Sequence, residues 1–242
     1  MTRKVYWEDS YIRKFQATVI DASDESVILD RTAFYPAGGG QPADTGIITA
    51  GGTVFKVTDT RKAGEDVSHF VSGFSGKIGD IVGGEIDWDR RYQHMKYHTA
   101  IHLIDAVVNR NPEYAGIITG SQIYEDRARV DFALEGLSME QANEFIRQSN
   151  LIIGEKHPVR SYFISAEEAA GIENLARTAP GRDLLKTMDK VRIVEIEGID
   201  RQADGGTHVS SLAEIGKITL SKIENKGRNN KRMVIVLESG GE

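Results

Sequence analysis

Residues 92–102 read Tyr-Gln-His-Met-Lys-Tyr-His-Thr-Ala-Ile-His, and the rest of the chain is organised around them. His98 and His102 are four residues apart, so on a helix both imidazoles lie on one face, one turn apart. A helix is predicted for 91–109, because apolar residues recur at helical spacing without Pro or Gly. The pair either binds a zinc ion or consists of two half-buried histidines on an amphipathic helix. Thr99 stands where H-E-x-x-H proteases carry their general base, which disfavours that class.

Composition excludes several classes of protein. The chain has 242 residues, 40% hydrophobic and 27% charged, which predicts a folded protein of one large or two ordinary domains. It contains no Cys, which excludes disulfides, thiolate ligands and Cys nucleophiles and favours a cytoplasmic location. The N-terminal residues lack the apolar core of a signal peptide, and no apolar run approaches the ~20 residues that cross a bilayer. The net charge is −6, so contact with a polyanion requires a local basic patch.

The hydrophobic pattern predicts an α+β fold in two domains. Residues 1–88 show many short strand patterns separated by Gly-rich turns, which indicates a small β-barrel. Residues 89–242 show helices first and then strands, which predicts helices packed on a mainly antiparallel sheet. Capping-box patterns at Ser138 and Ser165 predict the starts of two further helices. Strands of this domain are expected at 128–134, 190–196, 215–223 and 232–237.

A Gly-rich segment lies in the first domain. Residues 30–46 read Asp-Arg-Thr-Ala-Phe-Tyr-Pro-Ala-Gly-Gly-Gly-Gln-Pro-Ala-Asp-Thr-Gly. Successive glycines allow the backbone to approach another surface closely, and Gln41 and Asp44 then offer polar groups. The alternative is a flexible hairpin loop. The segment lacks the spacing and the Lys of a phosphate loop, and we expect no dinucleotide cofactor.

A second set of candidate ligands follows much later in the chain. Residues 202–208 read Gln-Ala-Asp-Gly-Gly-Thr-His, and the two glycines predict a loop between Asp204 and His208. Together with His98 and His102 they form a set of three His and one Asp, which zinc accepts. Three protein ligands and a water would leave an open catalytic position, whereas four protein ligands would close the site.

Several segments together resemble the editing domain of alanyl-tRNA synthetase. They are the histidine pair at 98–102, the strand at 126–132, the loop at 204–209 and the basic tail at 214–232. Residues 34–46 are similar to the Gly-rich motif of the barrel that precedes that domain. No aminoacylation domain is expected, and over residues 5–237 the chain resembles the free-standing, medium-length AlaX proteins. The resemblance implies a Zn²⁺ site and hydrolysis of mischarged tRNA(Ala).

One position departs from the family pattern. The zinc loop of the family reads Cys-Gly-Gly-Thr-His, and Asp204 stands here at the Cys position. Asp204 either ligates zinc directly, or holds a water molecule or orients a histidine beside the ion. We expect the change from thiolate to carboxylate to weaken zinc retention.

The resemblance also implies a substrate and a pocket. The expected substrate is Ser-tRNA(Ala), with Gly-tRNA(Ala) as a second one, and zinc either activates the ester or water or anchors the terminal adenosine. Candidate pocket residues are Thr119, Gln122, Gly39, Gly40, Gln41 and Thr207. Thr119 and Gln122 also fit as ordinary polar residues at a strand end.

A basic segment is the candidate surface for tRNA. Residues 217–232 hold one acid, Glu224, against six cations. The cations are Lys217, Lys222, Lys226, Arg228, Lys231 and Arg232. Phosphate contact is one use for them, and a solvated strand–turn–strand is the other.

Alternatives remain for the other histidines and for the function. His94 is interpreted as a rim or RNA-facing residue, and His69 and His157 as surface or cap residues. The rival functions are a tRNA-binding module with a decayed metal site and a metallohydrolase for another ester. The sequence leaves the oligomeric state open.

Overall fold

The computed structural model describes residues 1–111, 118–172, 174–176, 185 and 189–238. The chain divides into two compact units, Met1–His94 and Met95–Glu242. The domain bounds predicted from the sequence, 1–88 and 89–242, remain predictions.

The first unit is built from short strands. They are β1 (Arg3–Lys4), β2 (Lys14–Ala22), β3 (Ser26–Leu29), β4 (Arg31–Thr32), β5 (Gly46–Ala50), β6 (Thr53–Val57), β7 (Asp59–Ala63), β8 (Asp66–Phe70) and β9 (Ile81–Ile86). β1 and β4 pair in parallel, and the other strands form one antiparallel sheet in the order β6-β5-β9-β2-β3-β8-β7. Alternate residues such as Val27, Leu29 and Ile48 are fully buried in its core.

The closed barrel predicted for residues 1–88 is not confirmed. Within residues 1–94, all of which the structure describes, the sheet ends at β6 on one side and at β7 on the other. These two edge strands follow one another in the chain with Thr58 alone between them. A tight hairpin usually needs a loop of at least two residues. Because one residue is too few, β6 and β7 do not pair with each other although they are consecutive in the chain.

His69 on β8 is a buried residue, so its assignment to the surface is wrong. Its ring is fully buried, with Nδ1 3.0 Å from the Val27 carbonyl and Nε2 2.7 Å from Thr32 Oγ1. A carbonyl only accepts, so Nδ1 carries the proton and Nε2 accepts from the Thr32 hydroxyl. His69 is therefore a neutral core residue of the sheet.

Helix α1 (Trp88–Arg110) carries the histidine pair and confirms the helix predicted at 91–109. Asp87 caps its start, because the carboxylate accepts from Arg90 N at 3.3 Å. Nearly every residue from 95 to 108 is buried, so the alternative of an amphipathic helix is wrong. His94 is also fully buried and does not face the rim.

Among its described residues, the second unit contains two antiparallel sheets and the helices α2 (Met139–Gly154) and α3 (Ala166–Ala170). Its strands are β10 (Ile118–Ile123), β11 (Ala128–Phe132), β12 (Val159–Ser165), β13 (Lys190–Ile196), β14 (Asp200–Ala203), β15 (Lys217–Asn225) and β16 (Lys231–Glu238). The sheets have the orders β10-β11-β16-β15 and β12-β13-β14. The predicted α+β class with mainly antiparallel sheets is confirmed.

Capping signals in the sequence mark the starts of α2 and α3. Capping boxes are present at Ser138 with Gln141 and at Ser165 with Glu168, as predicted. Asn150 joins α2 to β15, since its side chain donates to Ile218 O at 2.8 Å and accepts from Ile218 N at 2.9 Å. Among the described residues, none of the helices combines the length and the apolar character that crossing a membrane requires.

Candidate metal centre

Four side chains from two distant segments meet in the second unit. His98, His102, Asp204 and His208 each offer a ligand atom, and these atoms all lie within 4.8 Å of one another. Asp204 Oδ1 is 3.6 Å from His98 Nε2 and 4.0 Å from His102 Nε2, and Asp204 Oδ2 is 3.1 Å from His208 Nε2. The three imidazole rings are almost completely buried.

The spacing of these atoms suits a small divalent cation. Ligands bound tetrahedrally at about 2.1 Å from zinc are about 3.4 Å apart, and the three nitrogen–oxygen distances at Asp204 range from 3.1 to 4.0 Å. Imidazole nitrogens and a carboxylate oxygen are donors that zinc accepts. The residues therefore fit the ion that the sequence predicts, and Asp204 Oδ1 faces two of the histidines.

The loop that carries Asp204 and His208 depends on a glycine. A Cβ atom at Gly206 would overlap the His98 ring at Cε1 and Nδ1 and would lie 3.0 Å from Asp204 Oδ2. Gly206 N donates to Asp204 Oδ2 at 2.5 Å, which turns the carboxylate toward the histidines. Glycine is needed here for close approach of the backbone.

Arg192 on β13 holds the same loop from the other side. This buried guanidinium donates from Nη1 to Asp204 O at 3.1 Å and to Gly206 O at 2.9 Å. Asp204 N in turn donates to Arg192 O at 3.1 Å. Arg192 was not predicted as a site residue, because residues 190–196 indicate only a strand in the sequence. The signal in the sequence was a charged residue directly between two apolar ones, Val191 and Ile193.

Thr99 connects the helix to the loop. Its hydroxyl oxygen is 2.9 Å from Met95 O, 3.1 Å from His208 Nδ1 and 3.3 Å from Val209 N. Thr99 is fully buried. From the sequence, Thr99 was informative only as a residue that is not Glu, because its partner His208 is 109 positions away.

Burial sets the protonation states of the centre. Burial lowers the pKa of His98 to about 4, and it also places the pKa of His208 well below the usual range, with the neighbouring His98 adding to that effect. Burial alone would raise the pKa of Asp204, but the adjacent His98 and His208 hold it well below its ordinary value. Neutral imidazoles and an ionised carboxylate are the forms that bind metal ions.

The predicted pocket residues of the second unit lie on different elements. Thr207 is fully buried in the loop beside His208. Thr119 and Gln122 lie on β10, where Thr119 Oγ1 donates to Asn230 Oδ1 at 3.0 Å and Gln122 Nε2 donates to Ile123 O at 3.2 Å. Their assignment to a substrate pocket stays a prediction.

The Gly-rich segment of the first unit forms a tight turn. Gly38 and Gln41 exchange two backbone hydrogen bonds of 3.1 and 3.0 Å around Gly39 and Gly40. The φ angles of these two glycines are 60° and 83°, as in a type I′ turn. Gln41 is buried. The segment is thus an ordered hairpin turn.

Asp44, at the end of this turn, is not available to a ligand. It is fully buried and forms an ion pair with the fully buried Arg91, whose Nε lies 2.9 Å from Asp44 Oδ2 and whose Nη2 contacts the same oxygen. Asp44 also accepts from Tyr35 N at 2.7 Å. Asp44 therefore holds the backbone next to the turn, and its carboxylate is taken up by Arg91 and Tyr35 N.

The basic segment is a hairpin in which most cations already have partners. Lys217 pairs with Glu238, Lys222 with Glu224, and Arg232 with Asp131 and Glu224. Lys231 Nζ donates to the carbonyls of Gly227 and Arg228 at 2.9 and 3.0 Å. In the described part of the chain, Lys226 and Arg228 are exposed at the turn and form no ion pair.

Comparisons with known proteins identify the families and relatives that this chain resembles. The family model described as "tRNA synthetases class II (A)" matches residues 8–90, and "Threonyl and Alanyl tRNA synthetase second additional domain" matches residues 191–234. Alanyl-tRNA editing protein AlaX-M of Methanosarcina acetivorans is 42% identical over 98% of this chain and 99% of its own length. AlaX-M of Saccharolobus solfataricus is 40% identical over 96% and 98%. Alanine–tRNA ligase of Pyrococcus furiosus is 38% identical over 92% of this chain and 24% of the ligase.

The two AlaX-M proteins match this chain from end to end, whereas the ligase matches it with only a quarter of its length. The resemblance inferred from the histidine pair, the loop and the Gly-rich segment is thereby confirmed. The chain belongs to the family of AlaX-M alanyl-tRNA editing proteins.

Proposed function

We propose that this protein is a zinc-dependent aminoacyl-tRNA deacylase that acts in trans on mischarged tRNA(Ala), with Ser-tRNA(Ala) as its substrate. The observation that carries the proposal is the convergence of His98, His102, Asp204 and His208 within 4.8 Å. The names of the AlaX-M relatives, which match along nearly the whole chain, support the tRNA substrate. An enzyme of this kind works where aminoacyl-tRNA is used, so we propose a cytoplasmic location.

The chemistry is that of ester hydrolysis beside a Lewis acid. When bound, zinc supplies positive charge that activates a water molecule or polarises the ester carbonyl. His98, His102 and His208 hold the ion as neutral imidazoles, and the Asp204 carboxylate offsets part of its charge. Arg192 and Gly206 keep the Asp204 loop against the histidine pair, so the ligands are in place before substrate arrives.

The need for such an enzyme follows from limits on binding selectivity. A pocket that accepts alanine rejects serine poorly, because excluding an added hydroxyl yields discrimination of only about 10². A second site that binds the serine hydroxyl removes the wrong product. We assign serine selection to Gly39, Gly40 and Gln41, and the lining of the acyl pocket to Thr119, Gln122 and Thr207. Gly-tRNA(Ala) is the secondary substrate.

The tRNA backbone requires cations that are free to pair with phosphates. The six basic residues of the hairpin are the proposed surface, and Lys226 and Arg228 are its leading members because their charges face solvent. Lys217, Lys222 and Arg232 would exchange a carboxylate for a phosphate, which lowers their net contribution. Lys231 holds the turn that presents Lys226 and Arg228.

The test is release of serine from purified Ser-tRNA(Ala). Wild-type protein loaded with zinc should hydrolyse the ester, and His98→Ala and His208→Ala should abolish turnover. His157→Ala is the matched control, because His157 pairs with Glu155 outside the cluster and should leave the rate unchanged. Full activity in both cluster variants would reject the assigned site.

The same assay separates the rival functions. A binding module with a decayed metal site predicts tRNA affinity without turnover, even after zinc is added. A metallohydrolase for another ester predicts hydrolysis of small esters but not of Ser-tRNA(Ala). Either result would reject the proposed activity.

A further inference from the structure

The Thr99 hydroxyl lies between α1 and the loop that carries Asp204 and His208. Thr99 makes contacts to this loop that α1 itself does not need. Its hydroxyl approaches three groups: the carbonyl oxygen of Met95, the Nδ1 atom of His208 and the backbone N–H of Val209. All of these groups are buried with Thr99 inside the second unit. A hydroxyl has one proton to donate and two lone pairs that accept. Whether Thr99 donates to His208 or accepts from it therefore depends on which ring nitrogen of His208 carries the proton.

The directions follow once a cation is bound at His208 Nε2. The remaining proton of the neutral ring is then on Nδ1, which donates to Thr99 Oγ1 across 3.1 Å. Thr99 accepts from Val209 N as well and sends its own proton to Met95 O, which can only accept. All three hydrogen bonds are satisfied together in this state.

Without a cation, the Thr99 hydroxyl can also bond the other tautomer of His208, in which Nε2 carries the proton. A proton on Nε2 then points at Asp204 Oδ2, 3.1 Å away, and Nδ1 presents a lone pair. Rotation of the Thr99 hydroxyl allows it to donate to that lone pair. Oγ1 thus remains the partner of Nδ1 in both tautomers.

We propose that Thr99 is the positioning residue of the metal centre: it holds the His208 ring so that Nε2 faces the cation, and its hydroxyl reverses direction when the ion binds. This inference rests on the proposed metal centre and adds to it a residue that acts through a ligand. Metal-binding histidines commonly donate their second ring N–H to a protein oxygen, and loss of such a partner lowers metal affinity about 10- to 100-fold.

A simpler role for the hydroxyl would be to bond its own helix. Ser149 on α2 shows that role, because this buried hydroxyl donates to Phe145 O, four residues back, at 2.9 Å. Thr99 makes the equivalent bond to Met95 O but also reaches His208. Ser149→Ala is therefore a matched control for the loss of a buried helix-bonded hydroxyl.

The experiment measures zinc affinity by competition with a chromophoric chelator. Thr99→Val should lower the affinity about 10- to 100-fold, while Thr99→Ser, which restores the hydroxyl, and Ser149→Ala should both stay close to wild type. Affinity of Thr99→Val equal to wild type would overturn the proposal. Equal losses in Thr99→Val and Ser149→Ala would also overturn it, since they would indicate a purely structural role.

A second measurement needs no variant. Long-range ¹H–¹⁵N correlation spectra of wild-type protein, recorded during zinc titration, should show the His208 proton on Nδ1 in the zinc-bound state. Zinc bound through Nδ1, or no zinc binding at all, would reject the inference. Thr99-dependent zinc binding in a protein that leaves Ser-tRNA(Ala) intact would instead reject the proposed function and leave this inference standing.

Discussion

Gly206 lies against the imidazole of His98 so closely that any Cβ at position 206 would overlap the ring at Cε1 and Nδ1. The loop therefore contacts α1 through its backbone at Gly206, and α1 contacts the loop through the His98 ring. This contact brings Asp204 Oδ1 to 3.6 Å from His98 Nε2.

Gly206→Ala should displace either the His98 ring or the loop. We expect loss of zinc binding, measured as zinc retained after gel filtration, and a cost of about 1–3 kcal/mol in the free energy of unfolding. Gly136→Ala is the control, because a Cβ there meets no atom within 4 Å. Retention of zinc by Gly206→Ala at the wild-type level would contradict the described contact.

Arg192→Met should loosen the loop without touching a ligand. The change leaves the carbonyls of Asp204 and Gly206 without their guanidinium donor, and we expect about 1.5–3 kcal/mol of destabilisation together with weaker zinc binding. Chemical denaturation and chelator competition measure the two effects. Arg160→Met removes an exposed pair with Glu197 and should cost at most about 1 kcal/mol. Equal losses in the free energy of unfolding for the two variants would show that Arg192 does not hold the loop.

Asp44→Asn tests the buried ion pair of the first unit. The substitution leaves the Arg91 guanidinium buried without its counter-charge, so we expect a loss of about 3–5 kcal/mol in the free energy of unfolding. Asp59→Asn breaks a pair with Arg61 at the surface and should cost at most about 1 kcal/mol. The prediction is wrong if thermal unfolding of the two variants is indistinguishable.

His69 should make stability depend on pH. Burial lowers the pKa of His69 to about 4, whereas an unfolded histidine has a pKa of about 6.5. Between these values the unfolded state binds more protons, so stability is lost as the pH falls from 6.5 toward 4, by at most about 1.4 kcal/mol per pH unit. Denaturation of His69→Gln over this range should show a smaller slope than wild type. An identical slope would exclude His69 as a contributor.

The exposed cations of the hairpin turn should contribute to tRNA affinity. Lys226→Gln combined with Arg228→Gln should weaken tRNA binding and reduce the salt dependence of log K by about one for each cation removed. Lys217→Gln should have a smaller effect, because its ammonium already pairs with Glu238 at 3.0 Å. Binding titrations over a range of salt concentrations measure both. A larger effect of Lys217→Gln would contradict the assignment of the turn.

Some features of this protein were determined by the sequence alone. Local signals predicted the helix at 91–109 and the capping boxes at Ser138 and Ser165, because spacing and end chemistry act within a few residues. The two-residue turn at Gly39 and Gly40 has the same origin. Motif spacing also indicated the four candidate ligands.

Only the tertiary structure decided the rest. Strands such as β7 and β14 are polar in sequence and exist because a neighbouring strand supplies their hydrogen bonds. Arg192, Arg91 and Thr99 gained their roles from partners 12 to 109 positions away, which are Asp204, Asp44 and His208. Local patterns carry no information on such pairs, since burial and distance arise when the chain folds. The sequence indicated the four candidate ligands, whereas folding determined which residues hold them in place.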